Sequence, residues 1–395
     1  MKNYRALFLC IFMSILILII PTGKIFAVIS DQSPKLVKYT TVKAKVLKIK
    51  YDDTNTPLKK DRSNIAKRQE FELIIEEGKH KGEQYTLKNT IEAVDVYNIK
   101  VKEGQYILVN INEDNGGKIT GMQLFDLYRE DTIYKLLVIF FVAIIIIGGK
   151  KGLKSVATLV LTGVVICKVF LPAILQGYNP ILMTIIASII IVCISMIGLN
   201  GINKKTSASI IGTVLGVMSA GIIAIIAGNH ANLTGLANED AQMLAYLPQS
   251  IHLNFKEILF SGIIIGALGA VMDVSISIVS SMTEIIEIKP EISVKEYIKA
   301  GMNIGKDIMG TMSNTLILAY AGETIQLLLV FMAANTSLKE ILNLDVIVSE
   351  IVKALAGSIG LVFTIPLTVL VCVIVLRNAD VGEFKKYFFI NKVGN

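Results

Sequence analysis

Long apolar runs separated by short polar segments make up most of this chain. An α-helix needs about 17 to 25 such residues to cross a bilayer. Eight candidate spans follow, at residues 7–20, 133–147, 153–171, 181–199, 208–227, 258–279, 308–332 and 351–376. The pattern predicts an α-helical polytopic membrane bundle of about seven or eight transmembrane helices.

Between the first two spans the apolar period changes from helical to alternating. The segments "YTTVKAKVLKIK", "QEFELII" and "GQYILVNIN" each place an apolar side chain at every second position, and glycine-rich turns separate them. Alternation of this kind is typical of strands with one buried face. We therefore predict an all-β domain over residues 31–131, of the size of one ordinary domain and OB-like in architecture.

Composition agrees with a membrane location. Hydrophobic residues make up 53% of the chain and charged residues only 18%, whereas soluble domains carry about 25% charged residues. The net charge of +7 comes from lysines scattered between spans rather than from one basic face. This distribution argues against nucleic-acid binding.

The lysines also predict a topology. Basic residues cluster between alternate spans and at both ends of the chain, at Lys2, Arg5, Lys150, Lys151, Lys154, Lys204, Lys205, Lys289, Lys295, Lys299, Lys306, Arg377, Lys385, Lys386 and Lys392. The positive-inside rule then places both termini in the cytoplasm and the β domain outside. Residues 1–30 are either a retained first span or a cleaved signal peptide. Residues 132–380 would form the membrane domain and 381–395 a cytoplasmic tail.

Asp273 is the first candidate site residue, because it lies within the sixth predicted span. Ser277 follows it one helical turn later on the same face. Ionisable residues inside membranes usually line a cavity, pair with one another or bind an ion. The alternative is structural: a hydrogen bond from a neighbouring helix that holds the bundle together.

A second polar group lies at the start of the seventh span. At helical spacing Asp307, Thr311 and Asn314 share one stripe, and Glu323 lies nearer the other end. Carboxylate, hydroxyl and amide oxygens coordinate hard cations or bind polar solutes. Asp307 could instead complement the helix dipole, and Asn314 could form an interhelical hydrogen bond. Upstream, "SVKE" at 293–296 is a capping box that opens a short amphipathic run, for which we expect an interfacial helix.

Neither a cofactor nor a metal is predicted. The four cysteines all fall within apolar runs, and the three histidines are too far apart in sequence for an HxxxH pair. The segment "GGKKGLKS" departs from a phosphate-binding loop because Leu153 precedes the Lys-Ser pair. Nucleophile-elbow and triad spacings are also missing, so an enzymatic function is not expected.

Two blocks carry a family resemblance: "GALGAVMDVSISIVSSMTEI" and "GKDIMGTMSNTLILAYAGE", preceded by a loop of the form H-x-x-x-T-G-L-x-x-E. Together they resemble the YibE/F family of bacterial membrane proteins. The resemblance implies a multi-pass plasma-membrane protein with an extracytoplasmic β domain followed by seven spans. Asp273, Asp307 and Asn314 fall within these blocks, but the resemblance assigns them no role.

Two functional hypotheses follow. The first is a transporter or permease whose polar site lies on the sixth and seventh spans. The second is a membrane scaffold or sensor whose β domain binds a partner or an envelope ligand while the spans only anchor it. Expected partners are the lipid bilayer, an ion or small solute, and either a second copy of the chain or another membrane protein.

Overall fold

The computed structural model describes residues 39–54, 67–91, 99–114, 116–246 and 253–377. The predicted signal or anchor segment 1–30 and the predicted tail 381–395 lie outside these residues. Two compact units divide the chain, and the boundary between them falls between Ala143 and Ile144.

The first unit contains a five-stranded antiparallel sheet. Its strands are β1 Thr40–Asp52, β2 Lys67–Ile75, β3 Gln84–Ile91, β4 Tyr106–Glu113 and β5 Ile119–Leu127, in the order β3-β2-β1-β4-β5. The edge strands β3 and β5 approach each other, so the sheet curls into a near-barrel. This confirms the predicted all-β domain, and a partly open five-stranded barrel is the architecture of an OB fold.

Alternating apolar positions build the barrel core, as the sequence predicts. Its buried members are Val42, Ala44, Val46, Phe71, Leu73, Ile75, Leu87, Val101, Ile107, Val109 and Ile111. One polar side chain, that of Gln69, is fully buried among them. Its amide oxygen accepts from Val101 N at 3.0 Å, and its amide nitrogen donates to Val101 O at 2.9 Å. Both bonds fasten the β3–β4 connection to β2.

The remainder of the described chain is helical. The helices are α1 Glu130–Val165, a π-helical segment Ile166–Phe170, α2 Leu171–Leu175, α3 Pro180–Asn200, α4 Lys204–His230, α5 Glu239–Tyr246, α6 Phe255–Ile288, α7 Val294–Glu323, α8 Ile325–Ala333, α9 Leu338–Ile341 and α10 Asp345–Val375. Within the described residues, five helical stretches are long and apolar enough to cross a membrane, or six if the bent pair of α7 and α8 is one span. The predicted helical membrane bundle is thereby confirmed.

Glu130–Leu175 counts as one apolar stretch of 46 residues, but it consists of two helices joined at a kink, in agreement with the second and third predicted spans. Within it, Gly149 has non-helical backbone angles, with φ 54° and ψ −129°. In a straight helix Gly152 would lie about 12 Å from Ile144, eight residues earlier. Here the two are in contact, since a methyl group on Gly152 would overlap the carbonyl oxygen of Ile144. The chain therefore bends sharply at Gly149, between the second and third predicted spans.

The second unit packs around α4, α6 and α10, and small residues on these helices permit close approach. A Cβ on Gly212 would lie 2.6 Å from Thr368 Oγ1 and 2.7 Å from Ser275 Oγ. The hydroxyls at this crossing bond one another and the backbone, since Thr368 Oγ1 donates to Ser275 Oγ at 3.4 Å and Ser275 Oγ donates to Ser209 O at 3.1 Å. Small residues at helix crossings are the usual means of tight packing in membranes.

Helix α7 differs from its sequence prediction in both length and continuity. The Ser293 hydroxyl caps its start by accepting from Glu296 N at 3.2 Å. From there the amphipathic run continues directly into the seventh predicted span as one helix rather than forming a separate interfacial helix. This helix ends at Glu323, and α8 then leaves at an angle of 56°.

Candidate functional site

A polar and glycine-rich stripe runs along one face of α6. Its members Gly262, Gly266, Gly269, Asp273 and Ser277 recur every three or four residues and are exposed, while the other faces of the helix are largely buried. Ser277 Oγ donates to the carbonyl oxygen of Asp273 at 2.7 Å. Among the described residues the Asp273 carboxylate has neither a hydrogen bond nor an ion pair. An acid without a partner among the described residues thus lies in the middle of an apolar helix.

Helix α7 reaches this stripe through Tyr320, because a Cβ on Gly266 would lie 2.7 Å from Tyr320 Oη. The two helices are antiparallel, and a shift of seven residues returns each to nearly the same face two turns away. Asp273 is seven residues after Gly266, and Ser313 is seven residues before Tyr320. Asp273 and Ser313 thus lie two turns along their helices from the Gly266–Tyr320 contact, and no contact between the two side chains is found among the described residues.

One further step of seven residues along each helix gives Ser280 on α6 and Lys306 on α7. At this end of the pair the helices are held by Gly301, whose Cβ would lie 2.6 Å from Met282 Sδ. We call the region between this stripe of α6 and the Tyr320 side of α7 the α6–α7 groove; by helical spacing from the Gly266–Tyr320 contact we assign to it Gly266, Asp273, Ser277, Ser280, Lys306, Ser313 and Tyr320.

The groove combines one carboxylate with several hydrogen-bond donors. Ser313 Oγ is buried and has no hydrogen-bond partner in the described part of the chain, which leaves its hydroxyl available to a ligand. Lys306 and Tyr320 add an ammonium and a phenol at the two ends. Such a set can hold a proton, a small cation or a polar solute.

The predicted stripe on α7 lies elsewhere. Asp307, Thr311 and Asn314 are all exposed, and Thr311 is nine residues, or two and a half turns, from Tyr320. It therefore points away from the side of α7 that touches α6. The structure does not bring these three residues to Asp273, and their role stays a prediction. Glu323, also exposed, is the last residue of α7.

Packing against α10 sets this rotation of α7. A methyl group on Gly305 would overlap Cγ2 of Ile365, so α7 turns this glycine toward α10. Farther along, Cδ2 of Leu316 lies 3.1 Å from the position of a Cβ on Gly357. These contacts direct Tyr320 and Ser313, rather than Thr311, to the α6 side.

Two charged residues that the sequence analysis did not single out lie near the break after α7. Lys353 Nζ is 2.6 Å from Glu350 Oε1, and the side chains are only 18% and 13% exposed. Glu350 Oε2 is buried and has no hydrogen-bond partner among the described residues. Since Gly357 meets Leu316, one turn back along α10 brings Lys353 to the level of Tyr320. Their opposite charges three residues apart could have indicated this pair from sequence. The eighth predicted span began after Glu350, however, and so divided the pair.

Other cavities and clusters fit polar chemistry less well. A cavity of about 90 Å³ between α3, α4 and α6 has an almost wholly apolar lining, including Val192, Val217 and Leu268. No group of three histidine, cysteine or acidic side chains in the described ranges is placed to hold a metal ion. The α6–α7 groove is thus the strongest polar candidate.

Comparison with known families covers both units. A model of the YibE/F family N-terminal domain matches residues 38–124, and a model of YibE/F-like proteins matches residues 136–378. Neither the curated proteins nor the solved structures give a match. The family and the apolar helices together indicate a membrane protein. Because the second model alone covers more than half of the sequence, the chain belongs to the YibE/F family.

Proposed function

We propose that this protein is a transporter in which a coupling ion or polar solute binds in the α6–α7 groove. The observation that carries the proposal is the Asp273 carboxylate, which has no partner among the described residues and lies on the polar stripe of α6 that Tyr320 of α7 touches at Gly266. The buried Ser313 hydroxyl, also without a partner in the described residues, supports it. The protein would act in the bacterial plasma membrane, with its basic loops and both termini on the cytoplasmic side.

The free-energy cost of Asp273 supports a functional role. Placing an aspartate at the centre of a membrane helix costs about 2.5 to 3.5 kcal/mol on insertion scales, while each large apolar residue returns about 0.3 to 0.6 kcal/mol. With more than ten apolar residues, α6 inserts despite the acid. A carboxylate that only stabilised packing would be expected to have a bonding partner, and Asp273 has none among the described residues.

The break between α7 and α8 supports transport independently. Interrupted helices in membranes are tolerated where they line a cavity or are buried in protein, and transporters build binding sites beside such breaks. Here the 56° bend lies one turn beyond Tyr320, at the end of the groove. The Glu350–Lys353 pair lies on the neighbouring helix near the same point.

Flux through reconstituted protein tests the proposal. Liposomes containing a pH-sensitive or a sodium-sensitive dye would receive the wild type, Asp273→Asn or Asp240→Asn, followed by a proton or sodium gradient. Asp240 is an exposed residue of α5 and provides a matched exchange of Asp for Asn outside the groove. We expect flux with the wild type and Asp240→Asn, and a rate equal to that of protein-free liposomes with Asp273→Asn.

Two results would contradict the proposal. Wild-type rates equal to those of protein-free liposomes for both ions would remove the evidence for ion-coupled transport and favour the scaffold or sensor hypothesis. Wild-type rates retained by Asp273→Asn would remove the groove from the pathway. Adding Asp307→Asn to the series distinguishes a path along the predicted α7 stripe from a path through the groove. A path along the stripe predicts that Asp307→Asn is the inactive variant, whereas a path through the groove predicts that Asp273→Asn is.

A further inference from the structure

The junction between the β domain and α1 is short and held by several contacts. Strand β5 ends at Leu127 and α1 begins at Glu130, so only Tyr128 and Arg129 connect them. Tyr128 N donates to Tyr106 O at 3.1 Å, and Tyr128 Oη donates to Asp131 Oδ1 at 3.1 Å. One end of the barrel is thereby fixed beside the first turn of the helix.

Lys43 of β1 strengthens this attachment. Its Nζ lies 3.5 Å from Asp131 Oδ2 and 3.9 Å from the centroid of the Tyr128 ring. The Tyr106 ring centroid is 4.7 Å from Lys43 Nζ and 5.6 Å from Lys45 Nζ. We call Lys43, Lys45, Tyr106 and Tyr128 the basal cluster of the barrel.

The length of α1 fixes the depth of this cluster. The apolar run from Ile133 to the bend at Gly149 contains about 16 residues, or about 24 Å of helix. A bilayer has a hydrocarbon core about 30 Å thick, which is longer than this run. If the run crosses the bilayer, the boundary of the core therefore lies at Ile133 or between Ile133 and the barrel. Asp131 is within about 3 Å of Ile133 along the helix axis, and its charge disfavours the hydrocarbon core. We therefore assign it to the headgroup layer, which is about 5 to 7 Å thick on each side.

We propose that the basal cluster docks in the lipid headgroup layer and holds the β domain to the bilayer surface. The basal cluster contacts Asp131 through Lys43 and Tyr128 and therefore shares its depth. Tyrosine rings are enriched at this level because one end is apolar and the other polar. The Lys45 ammonium there can meet lipid phosphates, whereas that of Lys43 is paired with Asp131. Tyr106 and Tyr134, 36% and 56% exposed, have surface available for such contact.

The protein contains no tryptophan, so single substitutions report depth directly. We would reconstitute Tyr106→Trp, Tyr134→Trp and Lys118→Trp separately into phosphatidylcholine and phosphatidylglycerol vesicles that contain lipids brominated near the glycerol end of the acyl chains. Tyr134 is in the first turns of α1 and is the positive control. Lys118 is at the β4–β5 hairpin, at the opposite end of the strand pair from Tyr106. Matched thermal unfolding would verify folding.

We expect bromolipids to remove most of the emission of Tyr106→Trp and Tyr134→Trp, and to leave that of Lys118→Trp nearly unchanged. Quenching of Tyr106→Trp no greater than that of Lys118→Trp would overturn the proposal, as would unquenched emission from Tyr134→Trp. If Tyr106→Trp does not fold, Lys45→Trp reports the same surface. Neither result depends on whether the groove conducts ions.

Discussion

Substitution of Gly305 tests the packing that determines which face of α7 meets α6. A methyl group at this position would overlap Ile365 Cγ2 and lie 3.1 Å from Ile365 Cβ. Because Ile365 is β-branched and only 3% exposed, it has little freedom to move aside. Overpacking of this kind costs about 1 to 3 kcal/mol.

Gly310→Ala is the matched control for Gly305→Ala. Gly310 lies on the same helix, is exposed, and has no atom within 4 Å of the position of a Cβ. Both variants gain the same helix propensity, about 1 kcal/mol, so the difference between them isolates the packing cost. In a domain of this size that difference corresponds to a Tm about 2 to 12 °C lower for Gly305→Ala.

Thermal unfolding of the two variants in detergent measures this difference. Equal Tm values would refute the reasoning, because they would mean that Gly305 does not face Ile365. The rotation of α7 that directs Tyr320 and Ser313, and not Thr311, toward α6 would then lose its support. Ile365→Ala in the Gly305→Ala background serves as a further check. It should cost less than it does in the wild type, with a coupling of about 0.5 to 3 kcal/mol.

Three further predictions concern polar groups in the two units. Gln69→Leu should destabilise the β domain by about 2 to 4 kcal/mol, because the substitution leaves the buried N–H and C=O of Val101 unpaired. Denaturant unfolding followed by tyrosine fluorescence measures this loss of stability, and an unchanged midpoint would contradict the prediction. Glu350→Gln should lower the free energy of unfolding by about 3 to 5 kcal/mol, because it leaves Lys353 unpaired. Adding Lys353→Met to that variant should recover much of the lost Tm, and failure to recover it would mean that the pair does not form. Hydrogen bonds from Tyr85 and then His80 lower the pKa of the Glu83 carboxyl, and bonds from Arg129 and Leu127 N lower that of Asp126. Since these pKa values are lower in the folded state, the carboxylates add stability at neutral pH that is lost as pH falls below about 4, and Glu83→Gln should flatten the acid side of a plot of Tm against pH.

The sequence by itself determined the elements whose formation depends on local pattern. Alternation located β1, β2 and β4, because a strand with one buried face repeats every two residues. Apolar length located the helices, because insertion into a bilayer depends on the composition of each segment. Asp273 was also identified from sequence, since a carboxylate in the middle of an apolar run is conspicuous without any knowledge of its neighbours.

Only the tertiary structure decided which faces meet. The sequence placed Asp307, Thr311 and Asn314 on one stripe, yet the stripe that faces α6 contains Ser313 and Tyr320, because the fit of Gly305 against Ile365 turns the helix. The proximity of Glu350 and Lys353 to the end of the groove likewise depends on the crossing of Gly357 with Leu316. Helical periodicity shows which residues share a face, whereas close packing between helices distant in sequence selects the face that points inward.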